Sequence, residues 1–226
     1  MISLILLAGG KGSRMGAPTP KQFLPLNGKP LALYSFDLFV STAEISEIIV
    51  VAEGAYQRYF STVVKPLTFA PPGLRRQDSV YNGFLQCNPK TKLVLIHDSA
   101  RPFLSPKDLT ALIEATGRMG AAALATPVCS TIKQSNESQV VEKTLDRSTL
   151  WEVQTPQALS FDLLQKGFEA VRRLKLEVTD DVSIAEAIGH PVEIVKGSPS
   201  NFKLTTPFDL AVAETLLKWE PKHAAV

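Results

Sequence analysis

Two cysteines, three histidines and a formal charge of only +2 in 226 residues remove several classes of protein at once. Cys87 and Cys129 form no CxxC pair and have no histidine at metal-ligand spacing, so neither a zinc site nor a disulfide framework is expected. Both are predicted to be buried thiols packing as small hydrophobes. Twenty-four basic against 22 acidic residues fall far short of a nucleic-acid footprint, so any positive potential must be local. The N-terminal run Ile2 to Ala8 is too short to cross a bilayer, lacks a basic leader and passes straight into a glycine-rich turn. It predicts a buried strand in a cytoplasmic protein with neither nucleic acid nor membrane as partner. Internal repeats and low-complexity tracts are also missing, and the tail from Pro221 to Val226 is expected to fray.

What is present suits a single α/β domain over residues 1–226, with 45% hydrophobic residues to fill its core. Apolar, β-branched runs recur at Ile48–Ala52, Leu93–His97, Ala122–Pro127 and Val192–Val195. Helical periodicity separates them, with start signals at Pro30 for a run to Val40, at Ser105-Pro106, at Ser160 and at Pro207. That alternation predicts a doubly wound, mostly parallel, Rossmann-like sheet. The polar stretch Ser130–Thr149 breaks the rhythm and is read as a hairpin-like arm centred on Val140-Val141.

Chemistry concentrates after the first strand. In Leu7-Ala8-Gly9-Gly10-Lys11-Gly12-Ser13-Arg14-Met15-Gly16, four glycines let backbone N–H groups approach an oligophosphate without Cβ obstruction. Three residues separate Gly12 from Gly16, which fails the dinucleotide fingerprint, and no Gly-Lys-Ser/Thr follows at P-loop spacing. A dehydrogenase is therefore disfavoured. Lys21 follows in the proline-stiffened Pro18-Thr19-Pro20-Lys21-Gln22. Arg14 and Lys21 could converge on one phosphate, where transfer at phosphorus needs fixed positive charge; single loop cations of this kind are more often merely solvated.

Asp98 should end a strand at the carboxyl edge of the sheet, where ligands bind in open parallel sheets. A carboxylate there can hold Mg²⁺ against a triphosphate, or can pair with Arg101 to organise the turn before Pro102. His97 invites a general-base role, yet a phosphate monoester is already largely ionised near neutral pH because its second pKa is about 6. A structural His97 is expected. Trp151 and Trp219 are read as packing residues.

Leu-Ala-Gly-Gly-x-Gly-x-Arg-Met with a nearby Pro-Lys-Gln resembles the opening of the sugar-phosphate nucleotidyltransferase superfamily. Across nearly its whole length the chain resembles one branch, the 2-C-methyl-D-erythritol 4-phosphate cytidylyltransferases. The likeness is carried by His97-Asp98-Ser99-Ala100-Arg101-Pro102, Asp146-Arg147 with Leu150-Trp151, Gln154-Thr155-Pro156-Gln157 and Asn201-Phe202-Lys203-Leu204-Thr205. The resemblance implies a homodimer interlocked by an arm at about 130–150. It implies CTP contacts from Ala8, Gly9, Gly10, Gly12, Lys21, Gly73, Ser79, Ser99 and Arg101, with Mg²⁺ at Asp98. Arg14 and Lys21 would stabilise the transition state. Arg147, reaching from the partner's arm, and Lys203 would position the acceptor phosphate, with Thr131, Thr155 and Thr179 around it.

Two departures stand out. Pro72 and Leu74 flank Gly73 where other members carry a second glycine or an acidic residue, which puts base selectivity through residue 74 in doubt. Ser200 replaces a frequent acidic residue and is given no metal role. The nearest rival is a ribitol 5-phosphate cytidylyltransferase, which shares the phosphate loop. Arg76-Gln77-Asp78-Ser79-Val80, Asp146-Arg147 and Thr179-Asp180-Asp181-Val182-Ser183 look more like the methylerythritol branch. A non-catalytic nucleotide-binding module is the rival of another class.

Overall fold

A computed structural model describes residues 1–10, 19–62 and 64–218. Gly12, Arg14, Trp219 and the tail from Pro221 lie outside the described residues. The order is β1 (Ile2–Leu7), β2 (Pro25–Leu26), β3 (Lys29–Pro30), α1 (Ala32–Ser41), β4 (Ile45–Val51), α2 (Gly54–Gln57), β5 (Leu67–Ala70) and α3 (Arg76–Phe84). It continues with β6 (Leu93–Asp98), α4 (Pro106–Met119), β7 (Ala121–Pro127), β8 (Lys133–Ser135), β9 (Val141–Thr144) and β10 (Trp151–Ser160). The chain then forms α5 (Phe161–Leu174), α6 (Ser183–Glu186), β11 (Glu193–Lys196) and α7 (Pro207–Lys218).

Seven strands make one sheet in the order β11-β7-β10-β6-β1-β4-β5. Neighbours run parallel except at β10, which is antiparallel to both β6 and β7. The fold is thus the expected α/β Rossmann-like architecture with one reversed strand. Central strands bury both faces, so they read as continuous apolar runs: Leu4, Ile5 and Leu6 in β1 and Leu95 and Ile96 in β6 are fully enclosed. Each such side chain contributes about 1.5–3 kcal/mol. Two core clusters cover the two faces, one packing α1 and α4 on the sheet through Phe36, Phe39 and Leu112, the other packing α3 and α5 through Phe84, Leu164 and Phe168.

Of the start signals, Pro207 opens α7 and Ser160 precedes α5 without a side-chain cap bond, while Pro30 ends β3 and α1 begins two residues later at Ala32. Ser105 accepts the Asp108 N–H at 3.0 Å with Pro106 opening α4, and Gly120 closes that helix at φ 82°. The polar stretch forms the hairpin β8–β9, exposed except for the half-buried Ile132 and Leu145. The cysteine expectation is half corrected. Cys87 is buried, and burial, reinforced by Glu47, pushes its thiol up to about 12; Cys129 is exposed because it sits where the chain leaves β7 for the arm.

Candidate active site

The carboxyl ends of β1 and β6 lie side by side, with Leu7 registered against Asp98. Past them opens a cavity of about 480 Å³, lined by the Gly9-Gly10 turn, Lys21, Gln22, the Gly73–Arg76 turn, Ser79, Asp98, Ser99, Lys203 and Thr205. Gln22, buried, donates to the carbonyls of Ala8 at 2.7 Å and Gly10 at 2.8 Å, tying the glycine turn to the Pro-Lys-Gln segment. Lys21 Nζ donates to the Leu204 carbonyl at 2.6 Å, which brings residues 21 and 203–205 to the same wall.

The opposite wall is the start of α3. The Gly73 N–H donates to Ser79 Oγ at 2.9 Å, and a Cβ on Gly73 would fall 2.4 Å from the Asp78 Cβ. Only glycine allows this closure. Arg75 donates to Asp78 through its backbone N–H and through Nε and Nη2 along one edge of its guanidinium. Leu74 stands fully exposed on the rim.

Asp98 is the one carboxylate among the described lining residues, and two cations hold it. Lys203 Nζ donates to Oδ2 at 2.6 Å, and Arg76 Nη2 donates to Oδ1 at 3.1 Å. Burial alone would raise the Asp98 pKa, but the Arg76 and Lys203 charges outweigh it and hold the carboxyl far below its ordinary range. Its backbone N–H donates to Thr155 Oγ1 at 3.0 Å. Thr155 in turn faces His97 Nδ1 at 3.2 Å, and His97 Nε2 faces the Arg101 carbonyl at 3.1 Å. A carbonyl only accepts, so Nε2 carries the proton and Nδ1 accepts from the Thr155 hydroxyl. Burial drives the His97 pKa down to about 4, and the ring packs edge-on against Phe39. This is the structural histidine expected, fully enclosed.

Of the residues singled out in the sequence, the fold brings Gly9, Gly10, Lys21, Gly73, Ser79, Asp98, Ser99 and Lys203 to one cavity. Ala8 is buried behind it, offering its carbonyl to Gln22. Ser99 Oγ donates to the Leu7 carbonyl at 2.8 Å, and Arg101 donates to the Asn201 carbonyl at 2.7 Å, so both act as frame. Asp98 pairs with Arg76 and Lys203 rather than making the ion pair with Arg101 that the local sequence allowed. Thr155 is buried with its proton committed to His97, whereas a phosphate needs a donor. Thr131, Arg147 and Thr179 are exposed and outside the cavity lining; Arg147 donates to the Cys129 carbonyl at the arm's base. Sequence reasoning overlooked Arg76 and Gln22. Arg76 lay in the Arg76-Gln77-Asp78-Ser79-Val80 stretch, but a second adjacent arginine gave no sign of which would turn inward.

Comparison with known proteins places the chain in a family. Residues 2–219 match the family profile described as IspD, 2-C-methyl-D-erythritol 4-phosphate cytidylyltransferase. The chain is 49% identical over 220 residues to the chloroplastic 2-C-methyl-D-erythritol 4-phosphate cytidylyltransferase of Oryza sativa subsp. japonica, covering 96% of this chain and 74% of that one. It is 41% identical to the Pelotomaculum thermopropionicum protein of the same name, covering 96% and 94%. The crystal structure of 4-diphosphocytidyl-2C-methyl-D-erythritol synthase from Anaerococcus prevotii superposes with a TM-score of 0.86 at 27% identity, covering 96% of this chain and 98% of that one. The Thermus thermophilus cytidylyltransferase superposes with a TM-score of 0.79 at 31% identity, covering 97% and 100%. With its profile, relatives and fold in accord, the chain belongs to the 2-C-methyl-D-erythritol 4-phosphate cytidylyltransferase family of nucleotidyltransferases.

Proposed function

We propose that this chain joins CTP to 2-C-methyl-D-erythritol 4-phosphate, giving 4-diphosphocytidyl-2-C-methyl-D-erythritol and pyrophosphate in the non-mevalonate route to isoprenoid precursors. A phosphate oxygen of the acceptor attacks the α-phosphorus of CTP as the bond to the β,γ-diphosphate breaks, so pyrophosphate leaves with that electron pair. The observation that carries this reading is one cavity lined by the Gly9-Gly10 turn, Lys21, Lys203 and the carboxylate Asp98, which together offer an oligophosphate backbone N–H groups, cations and a carboxylate for its accompanying metal ion.

The triphosphate rests on the glycine turn, with Gly9, Gly10 and Gly12 lending backbone, while Ala8, its N–H given to the Val51 carbonyl at 2.8 Å and its carbonyl to Gln22, braces the turn from behind. The base lies toward Gly73 and Ser79, while Ser99 and Arg101 hold the frame. Lys21 and Arg14 meet charge developing on the α-phosphate. Lys203 and the partner subunit's Arg147 orient the acceptor phosphate, with Thr131 and Thr179 at its edge and Thr155 acting through Asp98. The exposed β8–β9 hairpin interlocks with a second copy, making the enzyme a homodimer.

Mg²⁺ commonly binds through one or two carboxylates plus substrate phosphates. Asp98 fits that mode, being ionised, cavity-lining and without a second acidic residue in the described lining. No group of three or more His, Cys, Asp or Glu among the described residues could hold a metal by itself, which suits a cation arriving with CTP. When bound it would screen the repulsion between the two phosphate-bearing substrates. No helix among the described residues is long and apolar enough to cross a membrane, and the water-soluble substrates favour the cytoplasm as the site of action.

Pyrophosphate release from CTP and Mg²⁺, with the methylerythritol and ribitol phosphates compared, tests the assignment. Preference for the methylerythritol acceptor is expected; preference for ribitol phosphate overturns the acceptor, and silence with both, despite CTP binding, would leave a nucleotide-binding module.

A further inference from the structure

Behind the cavity, outside its lining, lies a second carboxylate. Asp181 is 1% exposed and takes both ends of the Arg76 guanidinium, from Nη1 at 2.6 Å and Nη2 at 2.7 Å. The same guanidinium faces Asp98 Oδ1 with Nε at 3.3 Å and Nη2 at 3.1 Å. Asp181 cannot drift, because Gln157 Oε1 accepts its backbone N–H at 2.7 Å and that of Val182 at 2.9 Å. Gln157 is itself registered against Ile96 of β6, so the turn bearing Asp181 is pinned to the strand that ends in Asp98.

The two cations on Asp98 are therefore unlike. Lys203 approaches through one hydrogen bond, and its side chain is 35% exposed. Arg76 is planar, forked and clamped from behind by a buried carboxylate. Two carboxylates, one guanidinium and one ammonium form a neutral group of four. Removing Lys203 toward a substrate phosphate leaves Asp98 held by Arg76, while removing Asp181 leaves Arg76 anchored by Asp98 alone and the group with one positive charge in excess.

We propose that Asp181 is a positioning residue. By locking Arg76 it fixes one oxygen of Asp98, and the other oxygen, guarded only by the exchangeable Lys203, is the one offered to the cation that accompanies CTP. This rests on the cytidylyltransferase reading for its substrates, but the lock is a property of the side chains alone. Partners of this kind, acting behind a metal-binding carboxylate, are worth about 10–100-fold in metal affinity or activity.

The test is Asp181→Asn, which keeps shape and loses charge, measured beside the wild type in two ways. Calorimetry of CTP binding with and without Mg²⁺ should show the metal-dependent gain in affinity shrink about tenfold, and kcat/KM for pyrophosphate release should fall about 10–100-fold. In an Arg76→Gln background the same substitution should add less than about twofold, since its effect passes through Arg76. Wild-type behaviour of Asp181→Asn, or losses that multiply in the double variant, overturns the proposal. Should Asp181→Asn fail to fold, Arg76→Lys carries the test: it keeps the charge but cannot span two carboxylates, so the same losses are expected, and wild-type values overturn the lock. A wild type that binds Mg²⁺ and CTP but releases no pyrophosphate defeats the proposed reaction, while the calorimetric comparison still decides the lock.

Discussion

Gly9 and Pro72 meet across the mouth of the cavity: a Cβ on Gly9 would sit 2.5 Å from the Pro72 Cβ and 3.2 Å from its Cγ. The turn after β1 and the turn before α3 are thereby wedged together, and the rigid pyrrolidine ring cannot yield. Gly9→Ala should force the two walls apart, costing about 1–3 kcal/mol of stability and lowering kcat/KM at least tenfold. Pro72→Gly in the same chain should restore much of the activity. An active Gly9→Ala with unchanged melting temperature would show that the contact is not needed.

His97 is neutral when folded, with burial holding it near a pKa of about 4 against an ordinary 6.5. A depressed value means that the stability it permits is present above pH 6.5 and is lost as pH falls toward 4. Between pH 7 and pH 5 this one group should remove about 2 kcal/mol from the unfolding free energy. Urea titrations of wild type and His97→Gln at both pH values check it, since the variant should lose less across that interval. The pH dependence of kcat above pH 6 should be the same in both, because no base is required.

Asp98 runs in the same direction from a lower starting point. Its folded pKa is depressed by Arg76 and Lys203 against the opposing effect of burial, so its contribution is full above about pH 4 and fades below that. Asp98→Asn should unfold with a flatter acid limb, lose about 1–3 kcal/mol at pH 7, and drop kcat/KM more than a hundredfold. The half-exposed Lys203 can turn to water, which keeps the stability cost moderate. A near-normal rate with Asn at 98 would remove this carboxylate from the chemistry.

Lys21→Ala should lower turnover strongly with only a modest loss of CTP affinity, as for a contact strengthened in the transition state. Steady-state rates alongside equilibrium CTP binding separate the two quantities. Equal losses in both would make Lys21 an ordinary ground-state ligand.

Val140 and Val141 are more than half exposed at the tip of the hairpin. If a second copy covers them, the double change Val140→Asp with Val141→Glu should yield monomers by light scattering and lose most turnover, through loss of the partner's Arg147. A monomeric wild type would end that proposal.

Legibility differed by residue. The strand Ile2–Leu7, the glycine turn and Asp98 were readable because a doubly wound sheet writes its buried strands as apolar runs and puts ligands at their carboxyl ends. The reversal of β10 was not. Its Gln154-Thr155-Pro156-Gln157 centre carries polar side chains that are buried only because Asn201, Asp98 and the 180–182 turn supply partners to Gln154, Thr155 and Gln157 in turn. A periodicity count scores them as loop.

The sequence by itself determined the alternation of strand and helix, the presence of a phosphate-binding turn, and the family through motifs spaced along the chain. Tertiary structure alone decided which charges meet. Arg76 lies 105 residues from Asp181, and Lys203 lies 105 from Asp98. Local propensity acts over a few residues, whereas an ion pair forms only where packing of the sheet carries distant turns to within about 3 Å and excludes the water that would otherwise screen them.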